Sequence, residues 1–146
     1  MDVERLLADE DRGWAEMHEI LARIPADRFE EPSVTPDGWS PKDVVFHVGY
    51  WLADCGRVLE RIREGTFDPE EDDAVDIEAV NRDGFEVSRA LDAATVRTQF
   101  EAARMHMREA FGTLPEVTTD AWEWFEESGP LHYVKHVTDL RAWIDG

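Results

Sequence analysis

Apolar residues recur at intervals of three and four along most of the chain, the spacing that places them on one face of an α-helix. The clearest stripe consists of Val44, Val48, Trp51, Cys55, Val58 and Ile62. Ser40 and Pro41 stand before it, and these residue types are preferred at the N-cap and the first position of a helix. Gly65 follows it, and glycine commonly ends a helix. The pattern predicts a helix over about residues 41–64.

Three other long segments have the same periodicity. The first carries Leu6, Leu7, Trp14, Met17, Leu21 and Ile24 and stops before Pro25, which cannot continue a helix. A second is predicted over about residues 92–113 and carries Val96, Phe100, Ala103, Met107, Ala110 and Leu114. The last begins at Pro130 and carries Tyr133, Val137, Leu140 and Ile144. A shorter helix, weakened by Gly84, is predicted within residues 77–91.

Two stretches between these helices are predicted to be connections. Residues 67–78 have seven acids in twelve positions and lack the order of acids and the central glycine of an EF-hand, so they predict a solvated loop. Residues 115–130 predict an aromatic-rich connection that covers part of the core. No segment alternates for long enough to predict a sheet. Four long amphipathic helices and one short helix therefore predict an all-α four-helix bundle, in a single domain over residues 1–146.

The charge of the chain is strongly negative, with 15 basic against 34 acidic residues and a formal net charge of -19. Such a surface repels nucleic-acid phosphates and anionic lipids, so neither a nucleic acid nor a membrane is expected as a partner. The N-terminal segment lacks the basic and apolar regions of a signal peptide, and the protein is expected to be cytoplasmic. The single cysteine, Cys55, has no basic neighbour to activate it and is expected to be a buried, inert thiol.

Three histidines are the candidate metal ligands. His132 and His136 are four residues apart and therefore lie on one face of the last helix, towards the edge of its apolar stripe. His47 lies on the shoulder of the stripe in the 41–64 helix. If these helices are neighbours, the three imidazoles meet at the rim of the core and can hold a divalent ion with a position left open. The alternative is that they are hydrogen-bonded polar residues without an ion.

The segments GWSPKDVVFHVGYW and HYVKHVTDLRAWI resemble the DinB-like superfamily, and are most similar to its ClbS/DfsB and maleylpyruvate isomerase N-terminal branches. The matching positions are Trp39, Ser40, Asp43 and His47 in the first motif, His132 and His136 in the second, and Asn81 and Phe85 in an N-x-x-x-F region between them. The resemblance implies a four-helix bundle, a metal held by the three histidines, and a homodimer. Its characterised members include transferases and isomerases that use mycothiol or bacillithiol, and small-molecule detoxifiers.

Other residues could take part in such a site. Asp43 stands one turn before His47 and could orient its ring, although a capping box with Ser40 is the preferred interpretation. His18 or His106 could be a fourth ligand, but neither has a motif, and each is expected to be a surface or rim histidine. Trp51 and Tyr133 adjoin the histidines along their helices and are predicted to form the wall of a substrate pocket.

These observations lead to three hypotheses of function. The first is a metal-dependent enzyme of the thiol-dependent transferase or isomerase type, with zinc or nickel in the site and a low-molecular-weight thiol such as mycothiol as cosubstrate. The second is a detoxifying hydrolase in which water replaces the thiol. The third is a metal- or ligand-binding module without enzymatic activity. A surplus of tryptophans over the needs of one small core is a further argument for the homodimer.

Overall fold

The computed structural model describes all residues from Met1 to Gly146 and consists of helices and their connections, without a β-strand. The α-helices are α1 (Val3–Ala22), α2 (Pro41–Glu64), α3 (Pro69–Asp73), α4 (Ile77–Arg89), α5 (Ala93–Gly112), α6 (Thr119–Ser128) and α7 (Pro130–Asp145), and a 3-10 turn covers Ala26–Arg28. The prediction of an all-α helical bundle is confirmed. No helix combines the length and the apolar character needed to cross a membrane.

The helix boundaries follow from the residues at the helix ends. Ser40 and Asp43 form a capping box at the start of α2, in which each side chain accepts a hydrogen bond from the backbone N–H of the other. Gly65 ends α2 with φ at +76°, a conformation that favours glycine. Aspartate or threonine side chains cap five further helices, namely Asp2, Asp68, Asp76, Asp92 and Thr118. The predicted bounds of the four long helices therefore hold to within a few residues.

Two predicted connections contain helices that were not expected. Residues 67–78 include α3, a single acidic turn capped by Asp68, and its residues remain exposed or half-buried. Residues 115–130 include α6, which buries Ala121 and Phe125 one turn apart against the core. The bundle thus has three shorter helices beside its four long ones, where one was predicted. Acidic and aromatic residues are mixed in this segment, so the apolar stripe of α6 is not evident from the sequence.

Helix α2 is the centre of the packing. It lies most extensively against α5 and also contacts α4, α6 and α7, while α1 packs mainly on α7. The core between these helices is continuous, and its largest fully buried side chains include Tyr133, Phe100, Phe125, Met17, Ile20 and Leu52. Close contact between α2 and α7 brings the predicted histidine positions onto neighbouring helices.

A buried polar network holds α7 in its orientation. Glu10 on α1 is fully buried and accepts hydrogen bonds from Arg104 and Arg108 on α5 and from the Tyr133 hydroxyl on α7, the last at 2.7 Å. Because consecutive helical residues point about 100° apart, fixing Tyr133 towards α1 turns its neighbour His132 towards another side of α7. That side is the one that faces α2.

Candidate metal centre

The structure brings His47, His132 and His136 together at the junction of α2 and α7. The Nε2 atom of His132 lies 2.9 Å from Nε2 of His47 and 3.0 Å from Nε2 of His136. One ring nitrogen from each histidine lies within 4.8 Å of the ring nitrogens of the other two. His47 sits in the second turn of α2, and the other two occupy the first two turns of α7. The first two turns of α2 and of α7 thus determine the position of the cluster.

Hydrogen bonding within the cluster is incomplete. A neutral imidazole nitrogen carries either one N–H or one lone pair, so Nε2 of His132 can form only one of its two close contacts as a good hydrogen bond. The Nδ1 atoms of His132 and His136 are buried and have no hydrogen-bond partner at all. Buried polar atoms without a partner are uncommon and costly in proteins. Because Nε2 of His132 cannot satisfy both of its neighbours, the three convergent Nε2 atoms are arranged for an ion that accepts an electron pair from each of them.

Burial keeps the three imidazoles in the neutral form that binds metals. It lowers the pKa of His47 to about 3, of His132 to about 4 and of His136 to about 2, because the charged ring would lose its hydration. The ammonium group of Lys135 lowers all three further by repulsion. Lone pairs on these nitrogens are consequently available over the whole physiological pH range.

The geometry of the cluster fits a divalent ion. Nitrogen ligands about 2.0–2.1 Å from a tetrahedral zinc ion are about 3.3 Å apart, only a few tenths of an ångström more than two of the nitrogen separations in the cluster. The Asp139 carboxylate lies 3.5 Å from Nδ1 of His136, where a small rotation would let it accept that N–H. Carboxylates in this position orient metal-binding histidines in many proteins. Three donors leave at least one coordination position for a ligand.

A cleft of about 760 Å³ opens onto the centre, and His47 and His132 form part of its wall. Its aromatic lining consists of Trp51, Phe67 and Trp124. Trp51 is fixed there because its Nε1 donates a hydrogen bond of 2.8 Å to Oδ1 of Asn81. The structure therefore places Trp51 where a molecule approaching the histidines would meet it.

Tyr133 does not lie on this cleft, and its predicted role as pocket wall does not agree with its position. Its ring is fully buried, and its hydroxyl donates a hydrogen bond to Glu10 on another side of α7. The prediction relied on its adjacency to His132 in sequence, but adjacent residues on a helix point in different directions. Burial and the Glu10 carboxylate raise the pKa of Tyr133 well above its usual value.

The remaining candidates lie outside the cluster. His18 pairs with Glu101 and His106 with Glu60, so neither is a fourth ligand. Asp43 is engaged in the capping box and accepts a 2.6 Å hydrogen bond from Ser88, which confirms its capping interpretation. Cys55 is buried, with a pKa raised to about 12 by desolvation, as expected of an inert thiol.

Sequence reasoning missed several residues of the cleft. Asp120, Glu123, Trp124 and Glu127 reach it because they lie on α6, which was expected to be an irregular connection. A signal was present, since Thr118 is a favoured N-cap residue and the two acids at 123 and 127 are one turn apart. Lys135 also lines the cleft, one turn after Leu131 and between the two histidines of α7.

Fold and histidine cluster together define an all-α bundle of the DinB-like class with a three-imidazole centre. The chain belongs to the family described as the mycothiol maleylpyruvate isomerase N-terminal domain, whose sequence model matches residues 11–142. That match covers α2 to α6 completely and most of α1 and α7, and it includes the three histidines. No curated protein and no solved structure shows significant similarity to the chain.

Proposed function

We propose that the protein is a metal-dependent enzyme that acts on a small molecule with the help of a low-molecular-weight thiol. The observation that carries this proposal is the convergence of three neutral imidazole Nε2 atoms beside an open cleft. The family's description names mycothiol and an isomerase, which supports a thiol as cosubstrate. Imidazole donors favour zinc or nickel among the available divalent ions.

Each part of the site has a role in this proposal. His47, His132 and His136 hold the ion, and a bound ion would lower the pKa of a thiol or a water molecule at its open position. Trp51 and Trp124 exclude water from one side of the cleft and orient the electrophile. The thiol sulfur would add to an unsaturated carbon of the electrophile, the electrons of the broken π bond would move to the neighbouring atom, and that atom would take up the proton that the thiol loses. The nucleophile thus comes from the cosubstrate and not from a protein side chain.

Metal content is the first test. Elemental analysis of the purified protein should find about one zinc, nickel or similar ion per chain. His47→Ala and His132→Ala should each lose the ion and keep a helical circular-dichroism spectrum. Substoichiometric metal that added ions cannot restore would contradict the proposed site.

A cobalt-substituted protein tests the thiol. Titration with mycothiol, bacillithiol, glutathione and coenzyme A should give a sulfur-to-cobalt charge-transfer band with one of the four, because a soft thiolate competes well with water at such an ion. The net charge of -19 disfavours the more anionic thiols, so mycothiol is expected to bind best. A cobalt spectrum that none of the thiols changes would favour the water-using hydrolase or the binding module instead.

The assembly and location follow from the same family relationship. We propose a cytoplasmic homodimer, since the resemblance implies a dimer and low-molecular-weight thiols are kept reduced in the cytoplasm. The number of tryptophans supports a dimer less than expected, because five of the six tryptophans pack against the chain's own core. These are Trp14, Trp39, Trp122, Trp124 and Trp143. Sedimentation of a single-chain mass at tens of micromolar protein would contradict the dimer.

A further inference from the structure

The cleft above the histidines is far more acidic than the protein as a whole. The whole chain has 34 acidic and 15 basic residues. Six carboxylates line the cleft, against Lys135 as the one basic side chain apart from the histidines. The acids are Asp54, Asp72, Asp73, Asp120, Glu123 and Glu127. The ratio of acidic to basic residues is about two to one over the whole chain and six to one in the cleft. The cleft is therefore more acidic than the chain as a whole.

These carboxylates come from three elements and face one another. Asp54 lies on α2, Asp72 and Asp73 lie on α3, and the other three lie on α6. Desolvation raises the pKa of Asp72, and repulsion from Asp73, Asp54 and Asp120 raises it further. Those interactions show that acids from all three helices act on one region of space. The acidic turn α3 therefore has a defined position at the cleft, whereas a solvated loop was predicted for this segment.

Most of this negative charge is not neutralised within the protein. Asp54 is paired with Arg57 at 3.0 Å. None of the other five has an arginine, lysine or histidine nitrogen within 4.0 Å. The fully buried Glu10, in contrast, is paired with two arginines. Five carboxylates without an ion pair therefore line the approach to the candidate metal centre.

Aromatic rings complete the environment of a positively charged ligand. Trp51, Phe67 and Trp124 line the same cleft, and the Trp124 side chain lies close enough to Asp72 to lower its pKa by hydrogen bonding. The face of an aromatic ring attracts ammonium and guanidinium groups, and carboxylates beside it add charge and hydrogen-bond acceptors. Ligands with carboxylate groups would instead meet repulsion from several directions.

We propose that the cleft selects a substrate that carries an ammonium or guanidinium group and rejects dicarboxylates. The inference rests on the proposed function, because it names the substrate class of the same site. It also separates this chain from the reaction in its family's description, since maleylpyruvate is a dicarboxylate. The cation-binding part is formed by α3, α6 and the aromatic rings, and His47 and His132 line the same cleft.

Three probes of similar size and different charge test this selectivity. Benzyltrimethylammonium, benzyl alcohol and benzylsuccinate are titrated into the metal-loaded protein by calorimetry at low and at moderate salt. The ammonium probe should bind at least tenfold more tightly than the alcohol, with a preference that declines as salt increases, and benzylsuccinate should not bind measurably. Equal affinity for the ammonium and the neutral probe would overturn the proposal.

A matched pair of triple variants separates the cleft from the net charge. Asp120→Asn/Glu123→Gln/Glu127→Gln removes three carboxylates from the cleft, and Glu4→Gln/Glu16→Gln/Glu19→Gln removes three from α1, which does not line it. The first should weaken binding of the ammonium probe at least tenfold, and the second should leave it nearly unchanged. An equal loss in both would mean that the whole surface, and not the cleft, attracts the probe.

The same titrations on the His136→Ala protein distinguish this inference from the proposed function and from inorganic ions. Preference for the ammonium probe should persist in that variant after divalent ions are chelated, because the carboxylates and aromatic rings remain. Loss of the preference would overturn the inference and indicate that the cleft serves only to attract the metal ion. A preference for the ammonium probe in a wild-type protein that binds neither metal nor thiol would leave the inference standing and refute the proposed function.

Discussion

The two buried polar clusters of this bundle meet on α7 at consecutive residues, yet they differ in how completely their hydrogen bonds are made. Tyr133 belongs to the Glu10 network, where a carboxylate without solvent contact has three different donor groups around it. His132 belongs to the histidine cluster, where its Nε2 atom has two neighbouring ring nitrogens and can form a good hydrogen bond with only one of them. A satisfied network is complete without any ligand, whereas an unsatisfied convergent one is arranged to bind.

The two clusters also differ in what sets their pKa values. Around Tyr133, the carboxylate of Glu10 adds to desolvation and keeps the phenol protonated. Around the histidines, desolvation and mutual repulsion remove protons and leave three lone pairs. Helix α7 therefore has a structural side, with Tyr133, and a chemical side, with His132, and these two residues point about 100° apart. Substitutions that affect one side and spare the other can test this division.

The largest effect is expected from Glu10→Ala. This change removes the shared buried partner of Arg104 and Arg108, which keep only the exposed Asp11, and leaves the Tyr133 hydroxyl without its acceptor. It should lower the free energy of unfolding by about 3 kcal/mol. Urea unfolding followed by circular dichroism measures the change, with Glu19→Ala on the exposed face of α1 as the control. Metal content of the folded fraction should not change. A loss as small as that of the control would show that the network is dispensable.

The next effect concerns His136→Ala and the metal. The wild-type protein should gain about 2.7 kcal/mol of stability when the free ion is at 100 times its dissociation constant, because the ion binds only the folded state. The variant should gain nothing. His106→Ala removes a histidine that pairs with Glu60 away from the cluster and should keep the full gain. An equal gain in wild type and in His136→Ala would remove this residue from the site.

For each single histidine, a smaller effect is expected from pH in the metal-free protein. The three folded-state pKa values of about 3, 4 and 2 lie below the unfolded value of about 6.5, so the unfolded state takes up protons first as the pH falls. Stability should therefore decrease from pH 7 to pH 5.5, by about 1 kcal/mol for each histidine. Urea unfolding at several pH values in the presence of a chelator measures the slope.

The matching variant for this slope is again His136→Ala. It removes one of the three groups and should reduce the pH dependence by about a third. The same slope in the wild-type protein and in this variant would mean that the cluster is protonated in the folded state and is not a set of neutral ligands.

The sequence contains enough information for the histidine cluster but not for the Glu10 network. The helix start at Ser40 and Pro41 and the four-residue spacing of His132 and His136 are local signals, and they place the imidazoles correctly once α2 and α7 are neighbours. Glu10, in contrast, stands among Asp9 and Asp11 in a run that looks like a solvated surface. Its arginine partners are 94 and 98 residues away, and no local pattern announces them.

The cleft was unpredictable for a related reason. Its acidic wall needs α3 and α6 to lie beside α2, and both segments look like polar connections when their spacing is judged alone. Tyr133 shows the opposite error, in which nearness in sequence suggested a shared pocket. Local spacing predicts which residues share a helix face, whereas contacts between distant segments depend on how the faces are paired.

The smallest effect is expected at the start of α2, where Asp43 was considered both as a cap and as a residue that orients His47. Ser40→Ala removes the hydroxyl that accepts the Asp43 backbone N–H and should cost about 1 kcal/mol of stability, measured by urea unfolding. Ser88→Ala removes the 2.6 Å hydrogen bond that Asp43 accepts from α4 and should cost a similar amount. Neither change alters the histidines, so the metal affinity of both variants should equal that of wild type. A tenfold loss of metal affinity in either variant, with unchanged helix content, would instead show that the capping box transmits its position to His47. The capping box would then contribute to metal binding and not only to the stability of the fold.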